Sequence, residues 1–379
     1  MPPHGATTAT TPRLPTAVGV RIGWVLCSPL ERPLPSTRIA VANMLVPLAQ
    51  AGFCSQPLYA PPQATETPSL DAAAAAILDS GCDIVVLQKV HGPSVEALVR
   101  RLSARGVRTV YMVCDRVDPA LSALTDATVV VTDHLRALHP PALQPRVHVV
   151  HDGIEQPALH KAAGLAGRGS RWQPLPAVLV ASSELTRVPV IGAPPPWLKL
   201  RVVARYASGW RRLQQIRWTW GQLPPSQRAG FLRFLANPHI ACVPWGAQSV
   251  YNELVRAEIG VIPIDTSQLR AGASGRPDWE VKSENRLTLQ MAVGLPVVAT
   301  PIPSYERVLQ HGVTGYFARS RADWQQYLAA LRDPMHRQAM GAAARATVLP
   351  PYSMAAQADK LAAVFRAVIA APRPGGTQS

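Results

Sequence analysis

Lys282 and Arg286 stand four residues apart at the front of the stretch KSENRLTLQMAVGLPVVAT, residues 282–300. That spacing puts both cations on one side of a helix start. Leu287 and Met291 repeat it and supply a buried stripe. Ser283 is the expected N-cap of a helix running to about Val293, with Gly294 as its stop and Pro296 barring continuation. A helix N-terminus presents free N–H groups and the positive end of its dipole. Two cations beside it conflict with that field, and Glu284 offsets only part of it. A docked phosphate or diphosphate resolves the conflict, held by the backbone at Ser283–Glu284 and by the two basic side chains. The plainer alternative is a surface helix with scattered charge.

The whole chain is consistent with a polyanionic neighbour. Its 379 residues carry a net charge of +15, with 47% hydrophobic and 16% charged residues. From Leu185 to Ile240 there are nine Lys/Arg and no Asp or Glu, with Trp197, Trp210, Trp218 and Trp220 interleaved. Nucleic acid, an anionic leaflet or a phosphorylated substrate all fit such a balance, as does a merely solvated basic face. The five cysteines are scattered, with no CxxC pair, so reduced core thiols in a cytoplasmic protein are expected. No signal peptide and no run of about 18 apolar residues is evident. Asp126, Asp133 and Asp152 are isolated, there is no DxD pair, and no metal-ligand spacing occurs.

Length suits two domains. Strand candidates at 21–26, 83–87, 108–113, 128–131 and 147–150 alternate with helices at 37–51, 70–78 and 94–104, which implies a parallel sheet covered on both faces. A Gly/Pro/Ala-rich connection spans 156–176. Alternation restarts with strands at 177–181, 198–203, 216–220, 240–243, 259–262, 297–299 and 316–317, and helices at 249–257, 304–310, 321–331, 334–346 and 353–370. The expected division is a tail at 1–17, a Rossmann-like acceptor domain at 18–155, the linker, a second Rossmann-like domain at 177–350, a helix at 351–371 and a tail at 372–379. The fold class is therefore α/β, with two Rossmann-like domains facing a central cleft. The last helix is a candidate to cross back to the N-terminal domain.

Residues 251–316 resemble the C-terminal half of GT-B glycosyltransferases of the family 4 type. The matching features are Glu258-Ile-Gly-Val-Ile-Pro263, Lys282–Arg286, Met291-Ala-Val-Gly-Leu-Pro-Val-Val-Ala-Thr300, Tyr305-Glu-Arg-Val308 and His311-Gly-Val-Thr-Gly-Tyr316. Val149-Val-His-Asp-Gly-Ile154 is similar to the family's hinge-proximal segment. The family commonly has two glutamates spaced by seven residues, and the places assigned to them here hold Lys282 and Gln290. The resemblance implies a retaining, metal-independent transfer of a sugar from a nucleotide-diphosphate donor, with no further cofactor. Lys282 and Arg286 would carry the diphosphate with Ser283, Glu284 and Asn285. Gln290 would meet the ribose, and Glu306 either binds donor hydroxyls or caps its helix. On the acceptor side Asp115 is the catalytic candidate. Arg38 is a candidate phosphate contact, or else an exposed first-turn arginine.

Three readings remain open at this point. One is a glycosyltransferase of bacterial cell-surface polysaccharide synthesis, acting on a glycan or lipid-linked acceptor and docked by segment 185–240 at the anionic inner membrane face. The second is the same chemistry on nucleic acid, and the third is a non-catalytic nucleotide-sugar binding protein.

Overall fold

Uninterrupted runs of Val, Ile and Leu become strands buried on both faces, as parallel sheets require. A computed structural model describes residues 19–161, 167–181, 193–267 and 276–372. The expected tail at 1–17, most of that at 372–379, and parts of segments 156–176, 185–240 and 266–277 lie outside the described residues. Strands β1 (Val20–Leu26), β2 (Phe53–Tyr59), β3 (Ile84–Gln88), β4 (Arg108–Val113), β5 (Ala127–Val130) and β6 (Val147–Val149) form one six-stranded sheet in the order β2-β1-β3-β4-β5-β6. Strands β7 (Leu175–Val180), β8 (Leu198–Ala204), β9 (Ile240–Pro244), β10 (Ile259–Ile262), β11 (Val297–Ala299) and β12 (Gly315–Phe317) form the second, in the order β12-β11-β10-β7-β8-β9. All strand pairings are parallel. Two such sheets with flanking helices make the GT-B fold. Strand order reverses between β1 and β3 in one sheet and between β7 and β10 in the other, the points where open parallel sheets bind ligands.

The last helix, Met354–Ala370, does cross back. Its Leu361, Val364, Phe365 and Val368 pack with Ile22, Trp24 and Leu26 of β1 in one core. Phe365 meets Trp24 and Phe53 edge-on, with ring centroids 6.3 and 5.6 Å apart. Fully burying each large apolar side chain contributes about 1.5–3 kcal/mol, so this helix is part of the first sheet's core. The chain thus passes between the sheets twice, and the two passages are joined: Ile154 N–H donates to Tyr352 O at 2.8 Å, and His151 N–H to Gln357 Oε1 at 2.9 Å.

The Gly-Leu-Pro turn has a packing reason. Gly294 adopts φ +87°, the left-handed C-terminal stop. Gly341, in the Pro334–Val348 helix, comes so close that a Cβ would lie 2.2 Å from Gly294 O.

Several elements differ from expectation. Residues 216–220 are not a strand but part of the Arg211–Gln222 helix. Ile216, Trp220 and Leu223 recur at helical spacing and turn together toward the second core, which outweighs the strand-like alternation of Ile-Arg-Trp-Thr-Trp. The expected 37–51 helix is broken into Pro35–Ala40, a tight turn at Ala42–Met44, and Leu45–Gln50. Pro47 lacks the N–H a continuous helix needs, and sits in the first turn of a new one. Strand β2 was not anticipated because Pro57 interrupts it; as an edge strand it tolerates the proline. The 304–310 helix is shorter, Pro303–Glu306, and a further helix, Pro225–Ala236, follows Arg211–Gln222.

Candidate active site

A cleft of about 610 Å³ opens between the carboxyl ends of the two sheets. From the first sheet it is lined by Ser36 and Arg38 after β1, Lys89 after β3, Asp115 and Arg116 after β4, and Asp152 and Glu155 after β6. The second sheet contributes Arg205 after β8, Trp245 after β9, Tyr251, and the 278–289 segment after β10 with Lys282, Ser283, Asn285, Arg286 and Leu289.

The helix after that segment runs Asn285–Ala292 and buries Leu287 and Met291. Ser283 is not its N-cap. Glu284 holds that position, and no side chain caps it. The Ser283 hydroxyl instead donates to Asp152 Oδ2 at 2.8 Å, tying the helix start to the segment after β6. The N–H groups of Asn285 and Arg286 make no backbone hydrogen bond among the described residues. Leu287 and Thr288 N–H both return to Glu284 O, at 2.8 and 3.0 Å.

Lys282 and Arg286 both face the cleft, and neither side chain has a hydrogen bond or ion pair among the described residues. Burial lowers the Lys282 pKa, the neighbouring Arg286 charge lowers it further, and Asp278 and Asp115 only partly compensate. Two half-buried cations with no ion pair among the described residues, beside unused N–H groups, favour an anion.

The opposite wall also holds cations, and two of them, Lys89 and Arg38, have carboxylates of their own, while Arg116 has no ion pair among the described residues. Lys89 Nζ lies 2.8 Å from Asp115 Oδ2 and 2.9 Å from Glu66 Oε1. Burial opposes its charge, yet Cys114, Asp115 and Glu66 together raise its pKa. Lys89 has φ +56°, the one positive value at a non-glycine among the described residues. Strain of this kind persists where surrounding contacts enforce it, and it concentrates at functional sites. Arg38 donates from Nε to Glu155 Oε1 at 2.8 Å and from Nη2 to Oε2 at 3.0 Å. Burial works against the Glu155 charge, but Arg38, with Asn43 and Tyr251, holds its pKa below the usual carboxylate range. The Tyr251 hydroxyl donates to Glu155 from the other sheet's side at 3.2 Å.

Between the walls, Asp152 is pushed up to about 6, chiefly by burial and also by Glu284 and Glu155, while Ser283 and His151 pull it down. Glu284 is buried behind the wall, its Oε1 2.6 Å from His151 Nδ1. That nitrogen also lies 3.0 Å from Val131 O. Ser28 is buried and hydrogen-bonded to Thr37.

Three expected positions fall elsewhere. The Glu284 side chain points to His151, leaving only its backbone near the cleft. Gln290 is fully buried and packs on Gly260 of β10, where a Cβ would lie 2.2 Å from its Oε1. One residue earlier, about 100° round the helix, Leu289 lines the cleft instead. Glu306 is outside the cleft lining, half-exposed and 3.5 Å from Arg319, whereas Tyr305 lines it. Lys89, Glu66, Glu155, Tyr251 and Trp245 were not anticipated. For Lys89 and Trp245 the available signal was position: each directly follows the apolar run of a parallel strand.

Residues 229–363 match the family model described as glycosyl transferase-like. No curated protein sequence matches the chain. Among solved structures, Anabaena Alr3699/HepE in complex with UDP and glucose is similar, with 10% identity, a TM-score of 0.63, and 92% of this chain and 100% of that one covered. A glycosyltransferase from Rickettsia africae is similar at 10% identity and a TM-score of 0.63, covering 93% of this chain and 100% of that one. So is sucrose-phosphate synthase from Thermosynechococcus elongatus, with 12% identity, a TM-score of 0.62, and 92% and 99% covered. At these identities the likeness establishes the fold, and the resemblance to GT-B glycosyltransferases of the family 4 type holds.

Proposed function

We propose that this chain transfers a sugar from a nucleoside-diphosphate donor to a hydroxyl of a glycan or lipid-linked acceptor. The observation that carries the reading is the pair Lys282 and Arg286, both facing the cleft with no ion pair or hydrogen bond among the described residues. In the reaction the anomeric C–O bond breaks, a nucleoside diphosphate leaves, and the acceptor oxygen takes its place on the anomeric carbon while its proton passes to an oxygen of the leaving diphosphate. Lys282, Arg286 and the N–H groups of Asn285 and Arg286 stabilise charge growing on the leaving diphosphate. Asp115, braced by Lys89, accepts a hydrogen bond from the acceptor hydroxyl. Arg38 positions Glu155 in place of meeting a phosphate. A retaining, metal-independent course and a place in cell-surface polysaccharide synthesis at the cytoplasmic membrane face complete the proposal. UDP in the similar HepE structure makes UDP-sugars the first donors to try.

A thermal-shift screen of UDP-, GDP-, ADP- and CMP-sugars tests the reading. A matching donor well above its dissociation constant raises stability by roughly 2–4 kcal/mol. No stabilisation by any of them, or an equal response after Lys282→Ala with Arg286→Ala, overturns it. One observation favours a second reading, donor binding without transfer: Leu289 occupies the cleft face where a polar group was expected. Release or transfer of sugar from the bound donor separates the two.

A further inference from the structure

A helix on a protein surface ordinarily turns polar residues outward. The Arg211–Gln222 helix does not. It has no buried residue, and only its inner side, with Ile216 and Trp220, leans on the second core. Its outward positions fall at 210, 213, 214, 217, 218 and 221, the repeat of one helical face. There Trp210 is 66% exposed, Leu213 71% and Trp218 68%. Arg217 shares that face and the exposed Arg211 flanks it, and neither has an ion pair among the described residues. Residues 193–252 contain eight Lys/Arg and no Asp or Glu.

We propose that this face, Trp210, Leu213, Arg217 and Trp218 with Arg211 at its flank, docks on an anionic phospholipid bilayer. Tryptophan and leucine suit the boundary between headgroups and acyl chains, and arginine suits the phosphates above it. A charge set without a single carboxylate complements an anionic leaflet. The exposed aliphatic Leu213 between the two tryptophans suits acyl chains and offers nothing to stacked bases. Position supports the same partner. Gln215 holds the helix start to the loop after β8 by donating to Arg205 O at 2.7 Å and accepting from Ala207 N–H at 2.9 Å. Arg205, in that loop, lines the cleft, as does Trp245, whose N–H donates to Ala204 O at 2.7 Å. The docking face therefore begins at the cleft rim. Its use, presenting the cleft to a lipid-linked acceptor, rests on the proposed transfer; its binding does not.

The test uses the full chain with vesicles of phosphatidylcholine alone and of phosphatidylcholine mixed with phosphatidylglycerol. The chain sediments with the mixed vesicles only, and brominated acyl chains quench its tryptophan fluorescence. Trp210→Ser, Leu213→Ser and Trp218→Ser together lower vesicle affinity about tenfold or more. Arg211→Gln and Arg217→Gln each lower it about fivefold. Nucleotide-sugar binding is unchanged in these variants and doubles as the folding control. Absence of binding to anionic vesicles at low salt overturns the proposal. So does binding indifferent to the apolar substitutions, a face that proves to bind RNA with a steep salt dependence and no need of its tryptophans, or a dimer that dissociates in the apolar variant. The quenching measurement reads insertion in the unaltered chain, independent of any variant.

Discussion

The two walls of the cleft hold the same kind of side chain in opposite electrostatic conditions. On the first-sheet wall, Lys89 lies between Asp115 and Glu66, and Arg38 is forked onto Glu155. On the second-sheet wall, Lys282 and Arg286 have no ion pair among the described residues, and burial first, then the arginine charge, lowers the lysine pKa against the partial offset of Asp278 and Asp115. A cation already matched by carboxylates organises its surroundings and has little affinity left for an incoming anion. A cation left unmatched on a partly buried wall stores repulsion that an anion relieves. The difference supports the proposal that the donor diphosphate docks on the second-sheet wall and the hydroxyl-bearing acceptor on the first.

Substitution tests this division directly. Replacing Lys282 and Arg286 by alanine, singly, is expected to lower kcat/KM for transfer about 10²–10³-fold and to weaken nucleotide-diphosphate binding, read by kinetics and titration calorimetry. If nucleotide affinity does not move, the charge argument fails. On the other wall, Lys89→Met releases Asp115 and Glu66 and relaxes nothing on the donor side. Transfer is expected to drop about 10–100-fold while nucleotide affinity stays within about twofold. Equal loss of both would erase the distinction between the walls.

The lowered Lys282 pKa gives a sharper reading. Bound diphosphate favours the protonated amine, so the lysine takes up a proton on binding at alkaline pH. Affinity is therefore full below the free-state pKa and declines as pH rises through it, by up to about tenfold per unit. Lys282→Arg flattens that decline. A pH-independent affinity in the unaltered chain contradicts the assignment.

The smallest expected effect concerns the group between the walls. Asp152 has its pKa raised from 3.8 to about 6, so folding favours its protonated form. Its stabilising contribution is complete below pH 3.8 and is lost as pH rises through about 6. Asp152→Asn stays neutral throughout, so it raises Tm above pH 6 and leaves it unchanged near pH 4. A gain of about 1 kcal/mol is expected, less than the roughly 3 kcal/mol of such a shift, because the cleft admits water. A gain of equal size at both pH values would assign the effect to packing.

Much of this arrangement was legible in the sequence because parallel sheets are buried on both faces. Ile259-Gly-Val-Ile262 and Val297-Val298-Ala299 have no other plausible use, and repeating strand and helix leaves few topologies. Pattern failed where it was ambiguous by nature. Ile-Arg-Trp-Thr-Trp alternates like a strand, but Leu223 extends it to helical spacing, and tertiary packing decided. The placement of Lys282 and Arg286 in a cleft followed from helix-start chemistry. Gln290 and Glu306 did not follow, because one residue of register is about 100° of helix and motif spacing does not resolve it. The partners of Lys89 were out of reach for another reason. Glu66 and Asp115 come from separate loops, and only the stacking of β1, β3 and β4 brings them to one amine.

The return of the Met354–Ala370 helix to the first sheet bears on how the protein is born. Ile22, Trp24 and Leu26 leave the ribosome early, but the side chains that cover them, Leu361 and Phe365 among them, come after the entire second sheet. Val41, Met44 and Leu48 cover part of that surface early, and the rest waits for the returning helix. The first core is therefore completed only after the chain has built the second sheet and returned, which ties the folding of the first domain to that of the second.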